Sequence, residues 1–475
     1  MNHSHPLIKD PIWDALIIGS GVSGAFWADG LSTLGLRCLI LEAGSLLNRN
    51  SFPKTEIAAN SQLYWSGGIE LNQSASIGFL RPKVVGGGSI VNQALLDRFD
   101  NEALSAFKDQ SGVSFFEEAA MNPYYENAES KLHIEEIPEK FQNENAQIFK
   151  AGFSKLGYQC APLKRGQKGC EIENGNDCIE CLAGCRRDSK QSMLITTLKN
   201  AFQNGLSLAS ETRAELIEFH PNKKEYTVYA KKRSGTSLQF KSRRLILASG
   251  AIGNSALLLK SGFQTSLPQI GKSFFTHPQY MNLGIYDRKI HAEKGSFQSL
   301  KSSEPEFRKK GFKLENVFAP PVGLSMLIPG FGKSHQSQME LQSQFACIEV
   351  AVRDTAPGRI RVNSKGGIQI QKELNTEDKK RKLEGLKTVN EIFRQTGAKK
   401  IIEGKIGIGL HLMGGCSIGS DPKTSVASPE FTLHGHPRIL VSDSSVFPNA
   451  PGINPSLTIM AFTLRAIEEF KKDLM

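Results

Sequence analysis

"WDALIIGSGVSGAFWADGLSTLGLRCLILEAG", residues 13–44, sets a glycine-rich turn between two short apolar runs. Ala15 to Ile18 is an apolar run that reads as a strand buried on both faces. The chain then turns through Gly19-x-Gly21-x-x-Gly24. The first glycine permits the tight turn, the second lets a pyrophosphate approach the backbone, and the third lets the next helix pack on the strand. That helix is expected from about Gly21 to Leu34. A second apolar strand, "RCLILEAG", reaches Glu42, eighteen positions after Gly24, where a carboxylate can accept hydrogen bonds from ribose hydroxyls. A GxGxxG alone matches many turns, but strand, turn, helix, strand and acid in this order imply dinucleotide binding.

Three later segments repeat the glycine-turn theme. "VVGGGSIVNQALLDR", residues 84–98, sets Gly86, Gly87 and Gly88 ahead of Ser89 and Asn92. Consecutive glycines at a helix start allow the backbone to press on a phosphate or a flat ring. "RRLILASGAIGNSALLLKSG", residues 243–262, is an apolar strand, a glycine turn around Ala251 and an apolar helix. The C-terminal stretch holds "HLMGGC" from His411, "SDSSVFP" from Ser442 and "GINPSLT" from Gly452. No second GxGxxG follows the first, so a nicotinamide site of that type is not expected.

In this order the four segments resemble the glucose-methanol-choline (GMC) oxidoreductases, FAD-dependent enzymes that oxidise alcohols. The resemblance covers nearly the whole chain and implies an α/β fold. One domain is a Rossmann-like FAD-binding unit, a parallel sheet with helices, assembled from residues 1–100, 186–275 and 403–475. The other, 276–402, is a substrate domain on a mostly antiparallel sheet, and 101–185 is an excursion covering the flavin and part of the substrate pocket. Within 374–397 an amphipathic helix is expected, with Leu383, Leu386, Val389 and Phe393 as its core stripe.

Carried over residue by residue, the resemblance implies FAD contacts from Gly19, Gly21, Gly24, Glu42, Gly86, Gly87, Gly88, Asn92, Ala251, Asp443 and Pro455. It implies His411 as the catalytic proton acceptor, since imidazole can take a proton near neutral pH. Asn454 stands where the family has His or Asn, and an amide can hydrogen-bond a substrate oxygen but not serve as a base. His277 is expected only to mark the domain border, and His434 and His436 to lie in a turn. Position 88 is Gly where many family members have Ser, and "GGCSIG" replaces a commoner threonine-containing version. The chain looks closest to the branch of cholesterol oxidases, long-chain alcohol oxidases and sugar or gluconate dehydrogenases. The implied substrate is a small-molecule alcohol, sterol or sugar, and the electron acceptor oxygen, a quinone or a redox partner protein. The alternative is an FAD-bound electron-transfer or assembly subunit without alcohol chemistry of its own.

Composition agrees with a globular chain of two domains: 475 residues, 39% hydrophobic and 8% aromatic. The formal charge is +11, but the basic residues are dispersed in short runs such as "EDKKRKLEG", which suits a solvated surface rather than a nucleic-acid partner. No apolar run approaches the length of about eighteen residues that a membrane span requires, and "MNHSHPLIKDPIWDALIIGSG" resembles no signal peptide. A cytoplasmic protein without evident membrane association is expected. "CEIENGNDCIECLAGCRRDSK", residues 170–190, holds four of the eight cysteines. An iron–sulfur cluster on Cys178, Cys181 and Cys185 fits ligand spacing, but relatives with a similar stretch and no cluster make a structural loop the preferred reading.

Overall fold

The computed structural model describes residues 12–170 and 178–474. The opening stretch forms a fully buried strand, Ala15–Ile18, a helix, Val22–Thr33, and a second buried strand, Cys38–Leu41. Gly21 caps the helix in extended conformation. The helix ends where Gly35 takes φ +74°, a left-handed value that glycine adopts without a Cβ penalty. Gly24 is small for packing: a Cβ there would lie 2.1 Å from the Gly19 carbonyl oxygen.

Six strands make the first sheet, in the spatial order Thr432–Leu433, His436–Val441, Leu245–Leu247, Ala15–Ile18, Cys38–Leu41 and Ser207–Ala209. All neighbours run parallel except the first pair, an antiparallel edge. Strands from residues 15–41, 207–247 and 432–441 therefore interleave, as three separate segments of one nucleotide-binding sheet require. The Val22–Thr33 helix is tied to the far end of the chain by a buried hydroxyl cluster. Trp27 Nε1 donates to Ser442 Oγ at 2.9 Å, and the Thr463 hydroxyl lies 3.0 Å from both Ser23 Oγ and Ser442 Oγ.

The second large sheet is mostly antiparallel. At its centre Pro278–Ile285 pairs with Phe345–Val352, which pairs with Phe312–Asn316. Gly407–Gly409 and Lys400–Ile402 pair with the other edge of Pro278–Ile285. The sheet also recruits Ile77–Phe79 and Cys160–Pro162, so it extends beyond the expected 276–402. A second core of buried residues packs helices Glu144–Leu156 and Thr376–Gln395 on this sheet.

The structure refines two expectations. Within 101–185, Leu182 and Ala183 reach the large cavity, whereas the helices Asn101–Ser111 and Glu118–Ser130 pack into the larger core, Phe107 edge-on to Phe116 and Phe447 and Phe116 tilted against Phe462. In the Thr376–Gln395 helix, Leu386, Val389 and Phe393 are buried but Leu383 is 63% exposed. It lies on the outer face of the helix with the exposed Lys379 and Lys387.

Candidate functional site

A cavity of about 1080 Å³ runs between the glycine turns and the antiparallel sheet. Sites for a single small ligand are commonly about 300–1,000 Å³, so this one has room for a large cofactor with a substrate beside it. Gly19, Gly21, Glu42, Gly87, Gly88, Asn92, Ala251, Asp443, His411, Asn454 and Pro455 all line it. Gly24 and Gly86 do not. Gly24 serves packing, and the Gly86 N–H donates to Ser20 Oγ at 3.1 Å, which in turn donates to Glu42 Oε2 at 2.6 Å.

The chain here fits a flavin dinucleotide. Gly19 has φ +103° and a Cβ would sit 2.4 Å from the Ala248 carbonyl oxygen, while a Cβ on Gly87, φ +54°, would sit 2.6 Å from Gly21 Cα. Backbone thus meets backbone and leaves open space in front. The Val22–Thr33 helix has no side-chain cap and no acid in its first turn, so its N-terminal N–H groups and dipole are available to a pyrophosphate. Glu42 also accepts from the N–H groups of Ser20 and Gly44, at 3.0 and 2.8 Å. Burial raises its carboxyl above the ordinary range, opposed by these hydrogen bonds. Asp443 caps a short turn through the Ser445 N–H and accepts from Gly250 N–H and Asn254 Nδ2 at 2.7 and 2.9 Å. It joins two of the segments that line the cavity.

The cysteine-rich stretch contributes structure at this wall. Lys190 is buried, and its ammonium donates to the carbonyls of Ile90, Asn92 and Cys181. It holds the loop against the end of the Gly88–Val91 helix, where a cation suits the exposed carbonyls. Leu182, Ala183 and Arg186 thereby reach the cavity. Cys181 and Cys185 are half-buried, and Cys185 Sγ accepts from the Lys190 N–H at 3.5 Å. The Cys178 side chain, on which a three-ligand cluster would rest, lies outside the described residues; among those described no group of three metal-ligating side chains converges.

The substrate-side wall brings together residues far apart in sequence. His411 faces the cavity, and its Nδ1 lies 3.0 Å from Nδ1 of His277. His277 Nε2 accepts from the Gly452 N–H at 2.9 Å. Burial and the nearby Lys313 ammonium hold the His411 imidazole down at about 3. Burial, then His411 and Lys313, hold His277 well below its ordinary value. Asn454 Oδ1 accepts from Lys313 Nζ at 3.1 Å, and its Nδ2 lies 3.4 Å from Asp97 Oδ2. A donor-only ammonium and an acceptor-only carboxylate set the amide's orientation. Lys313 pairs with Glu315 at 2.6 Å, and Asp97 with Lys301 at 2.5 Å.

Glu315 and Glu349 also line the cavity, directly opposite each other across two antiparallel strands. Burial, then Glu315, raises the Glu349 carboxyl well above its ordinary range. Sequence reasoning missed His277, Lys313, Glu315 and Glu349. The signal for Glu349 was a lone acid inside the apolar strand "FACIEVAV". His277, 134 residues from His411, left none.

Comparisons with known proteins agree. The family models of the GMC oxidoreductase N- and C-terminal regions match residues 14–279 and 354–463. An uncharacterized GMC-type oxidoreductase of Sinorhizobium fredii is 26% identical, covering 96% of this chain and 94% of the relative. Long-chain-alcohol oxidase FAO4A of Arabidopsis thaliana is 25% identical over 98% of this chain and 70% of its own length. The crystal structure of pyridoxine 4-oxidase from "Mesorbium loti" superposes with a TM-score of 0.72 at 15% identity, covering 97% of this chain and 99% of that one. With a flavin-binding fold and both family models matched across most of its length, the chain belongs to the GMC oxidoreductase family.

Proposed function

We propose that the protein is an FAD-dependent oxidoreductase acting on the CH–OH group of a small-molecule alcohol, with His411 and Asn454 engaging the substrate oxygen. The observation that carries this reading is that these two residues, more than forty positions apart, line the same cavity as the glycine turns suited to the cofactor. Gly19, Gly21, Gly87 and the start of the Val22–Thr33 helix would hold its phosphates, and Glu42 a ribose. Bound there, the flavin would supply the acceptor for the hydride that leaves the alcohol carbon. The chain's contribution is position and hydrogen bonding. His411 and Asn454 would hold the substrate oxygen, the latter through the Nδ2 hydrogen not directed at Asp97, and so fix the carbon that loses hydride.

The test is turnover of an alcohol panel with an artificial electron acceptor, alongside oxygen and quinone analogues. His411→Ala is expected to lose about a hundredfold or more of kcat while retaining flavin absorbance. Undiminished turnover in that variant would overturn the assignment.

A further inference from the structure

We propose that His277 is a positioning residue which fixes His411 in the tautomer with its proton on Nε2, so that His411 meets the substrate oxygen as a hydrogen-bond donor.

The argument follows the direction of each hydrogen bond. The Gly452 N–H can only donate, so His277 Nε2, 2.9 Å away, must offer a lone pair. A neutral imidazole then carries its proton on the other nitrogen, Nδ1. That proton points at His411 Nδ1, 3.0 Å away, which must therefore accept. A neutral His411 is left with its proton on Nε2, the ring nitrogen for which no protein partner occurs among the described residues. The opposite tautomer would set two N–H groups against each other, either between the rings or at Gly452.

The neutral state of the pair has its own physical basis. The rings are enclosed by the cavity walls; Glu315 and Glu349 share that cavity, but the charges that bear on the imidazoles are cationic, Lys313 for both, with Arg308 and Arg353 for His277. An imidazolium would be desolvated and repelled at once. His411 is thus poorly suited to keep a proton taken from an alcohol, and suited to hold the substrate oxygen by donating its Nε2 hydrogen to a lone pair; the hydroxyl proton released as hydride departs would pass to a carboxylate of the same cavity, Glu315 beside Lys313. The proposal departs from the expectation that His411 is the proton acceptor. It also gives His277 a task beyond marking a domain border.

The inference rests on the alcohol-oxidation reading only for what the Nε2–H meets. Its test is therefore made without substrate, on the flavin-loaded protein labelled with 15N-histidine. Nitrogen–proton correlation spectra near neutral pH are expected to show His411 protonated on Nε2 and His277 on Nδ1, with assignments from the single His411→Gln and His277→Gln variants. An unprotonated Nε2 on His411 in the native protein would overturn the proposal, whether or not any alcohol is oxidised.

A second readout separates positioning from mere support of the fold. His277→Ala, which removes the N–H aimed at His411, should give mixed His411 tautomers and a fall of about a hundredfold in kcat, with little change in KM. His277→Gln, whose amide can accept from Gly452 and donate to His411, should recover much of both. Equal loss in the two variants with the native tautomer kept in each would count against His277 as the determinant. Should His277→Ala fail to fold, the native spectrum and the Gln variant still decide.

Discussion

At the residue scale the site depends on which atoms have no room to change. Gly87 and Gly88 are adjacent yet differ in kind: a Cβ at Gly87 meets Gly21 Cα at 2.6 Å, and one at Gly88 meets nothing within 4 Å. Gly87→Ala is expected to cost about 2–4 kcal/mol of stability, from positive φ and backbone collision together. Gly88→Ala should fold with a native melting temperature; equal losses in the two, by thermal unfolding of the cofactor-free protein, would contradict the account. The glycine turns and the His411 and Asn454 wall were legible because they sit in contiguous motifs whose spacing reflects local geometry. His277 and Lys313 were not, because their meaning comes from hydrogen bonds closed across more than a hundred residues.

At the scale of elements, the pairing of Phe312–Asn316 with Phe345–Val352 sets Glu315 opposite Glu349. Like charges in that arrangement oppose sheet formation. Lys313 offsets one of them, and the raised Glu349 carboxyl shows that the folded state prefers it protonated. The sign follows directly: a carboxyl whose folded value exceeds its unfolded value favours the native state at low pH, and loses that contribution as pH rises from the ordinary carboxylate range toward the folded value. Glu349→Gln should therefore gain stability over the native chain progressively above about pH 4–5. Denaturant midpoints across a pH series check this; a constant difference would contradict it. The strand "FACIEVAV" was readable as an apolar element, but register decides which residue faces Glu349, and composition does not encode register.

At the scale of the whole molecule, a buried ion pair ties the end of the Phe345–Val352 strand to the residue that follows the Ile368–Gln371 strand. Lys372 Nζ donates to Asp354 Oδ1 at 2.6 Å with both side chains fully enclosed, and Asp354 Oδ2 accepts from the Thr276 N–H beside His277. Burial outweighs Lys372 and raises the Asp354 carboxyl to about 7. Lys372→Met is expected to cost about 3–5 kcal/mol, because the buried carboxylate loses its partner, whereas replacing both residues by apolar ones should cost less. Unfolding of the single and double variants in denaturant would show it. That three separated stretches of chain feed one sheet was readable from their motifs. The true reach of the second sheet was not, because its outer strands are two or three residues long and carry no period.

That interleaving also sets a timetable for synthesis. At roughly 5–20 residues per second, the Ala15–Ile18 strand leaves the ribosome on the order of 20–80 seconds before His436–Val441, whose place beside Leu245–Leu247 extends the same sheet. Until then an apolar edge stands open, and the nascent chain must be shielded by chaperones or by its own slow collapse. Ribosome-arrested chains halted before the His436–Val441 strand should be cut readily by protease around the open Leu245–Leu247 strand, and chains that include His436–Val441 should not.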